Sequence, residues 1–250
     1  MPVPICSKTT PAETISSLED WQRLASTPGK WAAGYSAMEL ARLWLTDAGP
    51  ATTAEALRGA FDGLTIECGQ AEAQVSFDRH PGGVRNHDVL AHGRTADGAV
   101  VVGIEGKVNE TLDETVDEKY AKAKATRDAG KNTNLDTRVD ELLAGIFGRG
   151  IAEDPTLGAL RYQLLSAVAG TVAAADDNTI GAAVVVHLIS TPQAKPEKFA
   201  DTRAAVDAFA AALGCPQEGP LVGPFVVDTT VLKGPANLPC WLTVAETAPV

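Results

Sequence analysis

The sequence predicts an α/β fold in which a mixed β-sheet is flanked by helices, and two observations carry this prediction. Residues 74–108 follow an extended, period-two pattern that turn residues divide, whereas the segments on either side repeat apolar residues every three or four positions. Residues 180–189 are almost continuously apolar, which is typical of a strand covered on both faces. Helical and extended segments therefore alternate around one central sheet.

The first half of the chain contains two predicted helices and then three predicted strands. An amphipathic pattern predicts a helix over 34–45, and a shorter helix is predicted over 53–61. The strands are predicted over 74–78, 87–94 and 100–108. Asp97 and Gly98, between the last two strands, form a dipeptide typical of a tight hairpin. We expect these strands to form an antiparallel meander.

The second half returns to helices around further strands. Helices are predicted from residue 111 onward and over 136–147, 157–175 and 198–213. Strands are predicted over 180–189, 225–232 and 240–244. The core order is therefore helix, three strands, helices and a strand, followed by a C-terminal helix and strands.

Composition and charge restrict the classes of function. A chain of 250 residues can bury one large core, so we expect a single domain over residues 1–250. The formal net charge of −11 repels polyanions, so a nucleic-acid partner would have to meet a local basic patch. No apolar stretch approaches the roughly 20 residues that span a bilayer, so no membrane partner is expected. Four scattered cysteines without a C-x-x-C pair suggest neither disulfides nor a thiolate zinc site, and they favour the cytoplasm.

Three charged residues are predicted to converge on one face of the hairpin. With a two-residue turn at Asp97 and Gly98, cross-strand partners have numbers that sum to 195, so Asp88 faces Lys107. Glu105 then projects from the same face, because side chains alternate along a strand. Buried charges are expensive unless they pair with each other or surround an ion, and both interpretations remain open for this trio.

If an ion is present, the three residue types suit phosphodiester hydrolysis. Asp88 and Glu105 offer hard oxygen ligands for a divalent cation such as Mg²⁺ or Mn²⁺. Lys107 would lie beside a metal-bound water, where it could orient or deprotonate that water and stabilise charge on a phosphate. The sequence thus favours a divalent-metal-dependent nuclease.

Asp88 and the later Glu105-Gly106-Lys107 tripeptide resemble the signature of the PD-(D/E)XK nuclease superfamily. The resemblance covers about residues 31–190 and implies a restriction-endonuclease-like core of order αβββαβ, which residues 197–245 extend. It also implies that Asp88 and Glu105 are metal ligands and Lys107 is the catalytic lysine. A glutamate on the first core helix, here Glu39, would complete the metal site, and Gln163 resembles the helix-borne glutamine of one branch.

Each of these assignments has an alternative. The trio can be a cross-strand salt bridge, in which case the chain is a catalytically inactive nuclease-like domain that binds a protein or a ligand. Glu39 can instead form a capping box with Ser36, and Gln163 can lie on an exposed helix face. Lys119, Lys122, Lys124 and Arg127 form the main basic cluster, which can contact phosphates or merely compensate a helix dipole. The resemblance allows a homodimer, but no interface is encoded.

Overall fold

A computed structural model describes residues 3–7, 13–24, 31–215 and 217–247, so the outermost residues of the predicted domain lie outside the described part. The strands are β1 (Ile5–Cys6), β2 (Thr14–Ile15), β3 (Thr65–Val75), β4 (Arg85–Arg94), β5 (Ala99–Lys107), β6 (Thr179–Ile189), β7 (Gln217–Glu218), β8 (Leu221–Val226) and β9 (Pro239–Thr247). The α-helices are α1 (Leu18–Leu24), α2 (Ser36–Trp44), α3 (Ala48–Ala56), α4 (Val116–Asp128), α5 (Leu135–Phe147), α6 (Tyr162–Ala173) and α7 (Pro196–Leu213).

All of these strands join one mixed sheet with the order β2-β1-β3-β4-β5-β6-β9-β8-β7. The antiparallel meander predicted in the middle of the chain is confirmed, because β4 pairs antiparallel with both β3 and β5. Strands β5, β6 and β9 run parallel, and they are apolar because helices cover both of their faces. The predicted α/β class, a mixed sheet flanked by helices, is therefore confirmed.

Each face of the sheet has its own core. Helices α1, α2 and α3 cover one face, and Trp21, Leu40 and Trp44 are among the fully buried residues there. Helices α4 to α7 cover the other face, with Leu164 and Phe209 among the buried residues. None of the described helices is both long and apolar enough to cross a bilayer.

Two predictions in the first half were wrong in their boundaries. The helix predicted over 53–61 is α3, which begins at Ala48, because Pro50 is tolerated in the first turn of a helix. The strand predicted over 74–78 is β3, which ends at Val75. Five of the eleven residues of β3 are glycine, alanine or glutamate, and their low strand propensity concealed it.

Three further elements differ from the predictions in the second half. The helix predicted from residue 111 is α4, which begins only after the N-cap Thr115. The helix predicted over 157–175 is a 3₁₀ helix (Pro155–Ala159) followed by α6, because Arg161 is extended and forms a β-bridge with Thr115. The strand predicted over 225–232 is β8, which ends at Val226.

The hairpin between β4 and β5 has a longer turn than predicted. Arg94 pairs with Ala99, so four residues form the loop, and the Thr95 N–H donates to the Gly98 carbonyl at 3.0 Å. Partner numbers therefore sum to 193 rather than 195, and Leu90 pairs with Gly103 instead of Glu105. A two-residue shift leaves every side chain on the same face, so the predicted convergence survives the error in register.

Candidate functional site

Strands β4 and β5 separate at the predicted site. Their ladder ends at the Val89–Ile104 pair, while β4 continues along β3 and β5 continues along β6. At the point of separation Asp88 reaches across, and its Oδ2 accepts a hydrogen bond from the Gly106 N–H at 2.8 Å. The side chain thereby replaces a ladder bond, and the gap between the two strands opens toward α6.

Glu105 lies at the base of this gap with its side chain only 1% exposed. Its Oε2 accepts a hydrogen bond from Gln163 Nε2 at 2.5 Å and lies 3.7 Å from Lys107 Nζ. The structure thus brings together four of the five predicted site residues: Asp88, Glu105, Lys107 and Gln163. The alternative that Gln163 lies on an exposed helix face without a partner is wrong.

A fifth residue, Arg85, also belongs to the site. Its guanidinium forms an ion pair with Glu105 Oε1, and its side chain is 9% exposed. Arg85 Nε has no hydrogen-bond partner among the described residues. Arg85 was not among the predicted site residues, yet a signal was present: Arg85 lies three residues before Asp88, at the start of a buried strand.

Burial strongly affects the two cations of the site. Burial lowers the pKa of Lys107, and the nearby Asp88 carboxylate opposes this effect only in part. Burial likewise lowers the pKa of Arg85 to about 10, again opposed mainly by Asp88. Asp88 therefore lies close enough to both cations to stabilise their charges, and the site holds two positive and two negative groups.

Two clefts meet at Gln163 and Asp113. The Arg85 cleft, of about 270 Å³, is lined by Arg85, Asn86, Asp113, Arg138, Tyr162 and Gln163, among others. The Lys107 cleft, of about 330 Å³, is lined by Tyr35, Ser36, Ala37, Lys107, Glu110, Thr111, Asp113 and Gln163. Gln163 is held at this junction because its Oε1 accepts the Asp113 N–H at 3.2 Å. A ligand in either cleft would therefore lie close to Glu105.

Glu39 is not brought to this site. It lies on α2, which packs on the other face of the sheet, and it lines a separate pocket. Its Oε1 accepts the Gly34 N–H at 2.8 Å, and both of its oxygens bind Arg42 Nη1 at 3.0 and 3.1 Å. These contacts give Glu39 a structural role at the start of α2.

The alternative capping box of Ser36 with Glu39 is also wrong. Ser36 donates its N–H and its hydroxyl to Glu110 Oε1, at 3.0 and 3.1 Å. Glu110 Oε2 accepts the N–H groups of Val108 and Asn109. Burial alone would raise the pKa of Glu110, but these N–H groups outweigh burial and lower it. Glu110 therefore fixes the loop that follows Lys107 against α2, a role that sequence reasoning missed.

The basic cluster on α4 does not form a free cationic surface. Each of its four members pairs with a carboxylate: Lys119 with Asp113 and Glu114, Lys122 with Glu114, Lys124 with Asp128, and Arg127 with Asp136. These pairs neutralise the cluster locally. The cations that line the two clefts are instead Arg85, Arg138 and Lys107.

A family whose description reads "Domain of unknown function (DUF6946)" matches residues 14–234. The chain belongs to the DUF6946 family. The matched range contains every residue of the two clefts, so the site lies within the part of the chain that defines the family. Searches among curated proteins and among solved structures found no match.

The donor chemistry of the DUF6946 site fits a divalent cation with two protein carboxylates. Among the described residues Asp88 Oδ1 receives no hydrogen bond, whereas Glu105 Oε1 is paired with Arg85 and Glu105 Oε2 with Gln163, so a metal would reach Glu105 only by displacing one of these partners. Within the described ranges, no three acidic, histidine or cysteine side chains form a group that could hold a metal. Water and substrate oxygens would therefore have to supply the remaining ligands, as is usual for Mg²⁺.

Proposed function

We propose that this protein is a divalent-metal-dependent nuclease that hydrolyses phosphodiester bonds of DNA or RNA, on a restriction-endonuclease-like core. One observation carries the proposal: Asp88, Glu105 and Lys107 meet where β4 and β5 separate, beside two clefts. Charged residues inside apolar strands are costly, so their retention at a cleft favours a chemical role. The order of α2, β3, β4, β5, α6 and β6 supports the proposed core.

Each carboxylate has a defined part in this mechanism. Asp88 and Glu105 would hold Mg²⁺ or Mn²⁺, and the bound ion would supply an activated water and neutralise charge on the phosphate. The Gly106 N–H fixes the orientation of the Asp88 carboxylate. Gln163 fixes that of Glu105 and, through Asp113, ties α6 to the loop beyond β5. These contacts hold the two carboxylates before the substrate arrives.

Lys107 accepts the proton of the attacking water or forms a hydrogen bond to that water. Its pKa is lowered by burial, which brings the neutral amine closer to the working pH and makes proton transfer easier. In its charged form the same amine stabilises a phosphate oxygen. Arg85 and Arg138 line the adjoining cleft but are already paired with Glu105 and Asp78, so a polyanion, which the net charge of −11 repels, would have to compete with these carboxylates.

Cleavage of single-stranded and duplex nucleic acids with and without Mg²⁺ tests the proposal. We expect cleavage only with metal, and we expect Lys107→Ala to lose it at least about 100-fold while staying folded by circular dichroism. Lys122→Ala, which removes the same charge from the exposed side of α4, is the matched control and should cleave like the wild type. Full cleavage by folded Lys107→Ala would refute the mechanism.

A second candidate function is a non-catalytic domain that binds a protein or a small ligand. The ion pair between Arg85 and Glu105 favours it, because this pair already neutralises one of the two proposed metal ligands. This alternative predicts no cleavage under any metal condition. It also predicts that Glu105→Gln alters the function in cells only as far as it lowers stability, whereas the nuclease requires that carboxylate even in the folded protein.

A further inference from the structure

We propose that Arg85 is a resident cation that a divalent metal must displace from Glu105, an inference that rests on the proposed function. The guanidinium contacts Glu105 Oε1 and is attracted by Asp88, so it lies between the two carboxylates that would share a metal. The positively charged guanidinium therefore already lies where the metal ion would bind. Metal and Arg85 cannot both take Glu105 Oε1.

The surroundings of Arg85 explain why its guanidinium lies at Glu105 and where it can move when a metal binds. If Arg85 were absent, Lys107, at 3.7 Å, would be the one cation of the described residues left beside the buried Glu105 carboxylate. Burial of a charge with so distant a partner is costly. When metal is absent, the ion pair with Arg85 stabilises the Glu105 carboxylate. Among the described residues Arg85 Nε has no hydrogen-bond partner, and Arg85 itself lines the Arg85 cleft. A released guanidinium can therefore turn into the cleft, where a substrate phosphate would meet it.

This arrangement predicts a metal site whose affinity is reduced by the protein's own side chain. Removal of Arg85 should tighten metal binding, because the competitor is gone. The same removal should destabilise the metal-free protein, because Glu105 is then left with a weaker partner. The two effects have opposite signs, and a purely structural salt bridge would give only the second.

The chain supplies a matched control for this test in the same cleft. Arg138 forms an ion pair with Asp78, and their side chains are 11% and 1% exposed, close to the 9% and 1% of Arg85 and Glu105. Asp78 lies apart from the Asp88–Glu105 pair and accepts the His80 N–H. Arg138→Gln therefore breaks an equally buried pair without vacating a proposed metal ligand.

The experiment titrates Mn²⁺ into the full chain by calorimetry and records melting temperatures with and without Mn²⁺. For Arg85→Gln we expect Mn²⁺ to bind about 5- to 150-fold more tightly than to the wild type, the usual range of a coupling free energy. Mn²⁺ should also restore much of the melting temperature that this variant loses. Arg138→Gln should lose stability that Mn²⁺ does not restore.

The outcomes separate this inference from the proposed function. Mn²⁺ binding to the wild type together with equal or weaker binding to Arg85→Gln would overturn the displacement and leave the nuclease proposal standing. Binding to neither would overturn both. If Arg85→Gln fails to fold without metal, Arg85→Lys serves instead: it keeps a smaller cation, and an affinity above that of the wild type supports displacement, whereas an unchanged affinity opposes it.

Discussion

Two buried or partly buried Glu–Arg pairs lie on opposite faces of the same sheet, and they differ in how their carboxylates are satisfied. Glu39 pairs with Arg42 one helical turn away, accepts a backbone N–H, and its arginine side chain is 38% exposed. Glu105 pairs with Arg85 from a neighbouring strand, and both side chains are almost fully buried. Arg85 contacts one oxygen of Glu105, and Gln163 donates a hydrogen bond to the other.

The two glutamates differ in how strongly each depends on its arginine partner. The Glu39 pair is local and partly solvated, so water can take over from either partner. The Glu105 pair joins two neighbouring strands, and both of its side chains are almost completely shielded from water. Such an arrangement costs free energy that a structural pair would avoid, and this cost is typical of functional sites.

The largest expected effect comes from breaking the Glu105 pair. Glu105→Ala leaves Arg85 buried without its partner, and we expect the free energy of unfolding to fall by about 3–5 kcal/mol. Urea unfolding of the purified protein measures it. The double variant Glu105→Leu/Arg85→Met should recover most of the loss, because the two charges leave together and Asp88 still stabilises the charge of Lys107. If the double variant is no more stable than Glu105→Ala, the pairing account is wrong.

A second effect concerns the α2–α3 face, where His187 is buried against Thr53. Burial lowers the pKa of His187 to about 4, whereas the unfolded chain titrates near 6.5. The neutral form therefore contributes its full stability above pH 6.5, and this contribution is lost as the pH falls toward 4. We expect a loss of about 2 kcal/mol between pH 6.5 and 5 from this residue.

The control for His187 is His187→Gln, which keeps a group able to bond Thr53 and cannot titrate. Urea unfolding at several pH values compares the two proteins. The difference in their unfolding free energies should shift by that amount between pH 6.5 and 5. Parallel pH profiles would show that His187 does not stay neutral in the folded state.

A smaller effect tests how closely α6 approaches the cleft face. A Cβ on Gly170 would lie 2.7 Å from both Arg85 Cγ and His87 Nε2, so α6 must move in Gly170→Ala. We expect about 1–3 kcal/mol of destabilisation by urea unfolding. Gly170 has no positive φ, so a loss of stability in Gly170→Ala reports crowding rather than backbone strain. A Gly170→Ala protein as stable as the wild type would contradict the close packing.

The smallest effect is expected for Glu39. Glu39→Gln keeps an acceptor for the Gly34 N–H and loses only a partly solvated ion pair with Arg42, so the free energy of unfolding should fall by about 1 kcal/mol or less. Thermal melts in low and high salt measure the change. A loss as large as that of Glu105→Ala would mean that the two pairs do not differ as described.

The sequence revealed the convergence of Asp88, Glu105 and Lys107 because strand periodicity depends only on local alternation. It did not reveal the hairpin register. Asp97 and Gly98 suggest a two-residue turn, whereas the folded chain has a four-residue loop in which the Thr95 N–H bonds to the Gly98 carbonyl. Arg85 and Glu110 were missed as site residues for a different reason. Arg85 pairs with Glu105 and Glu110 accepts from Ser36, and each partner lies on another structural element. Only the folded protein shows which of these groups meet.

Under the proposed function, the Asp88–Glu105 pair, and not Glu39, binds the divalent ion. Calorimetric titration of Mn²⁺ into the wild type, Asp88→Asn/Glu105→Gln and Glu39→Gln tests this claim most directly. The account predicts binding to the wild type and to Glu39→Gln, and none to the double variant. Binding that persists in the double variant, or that disappears in Glu39→Gln alone, would contradict it.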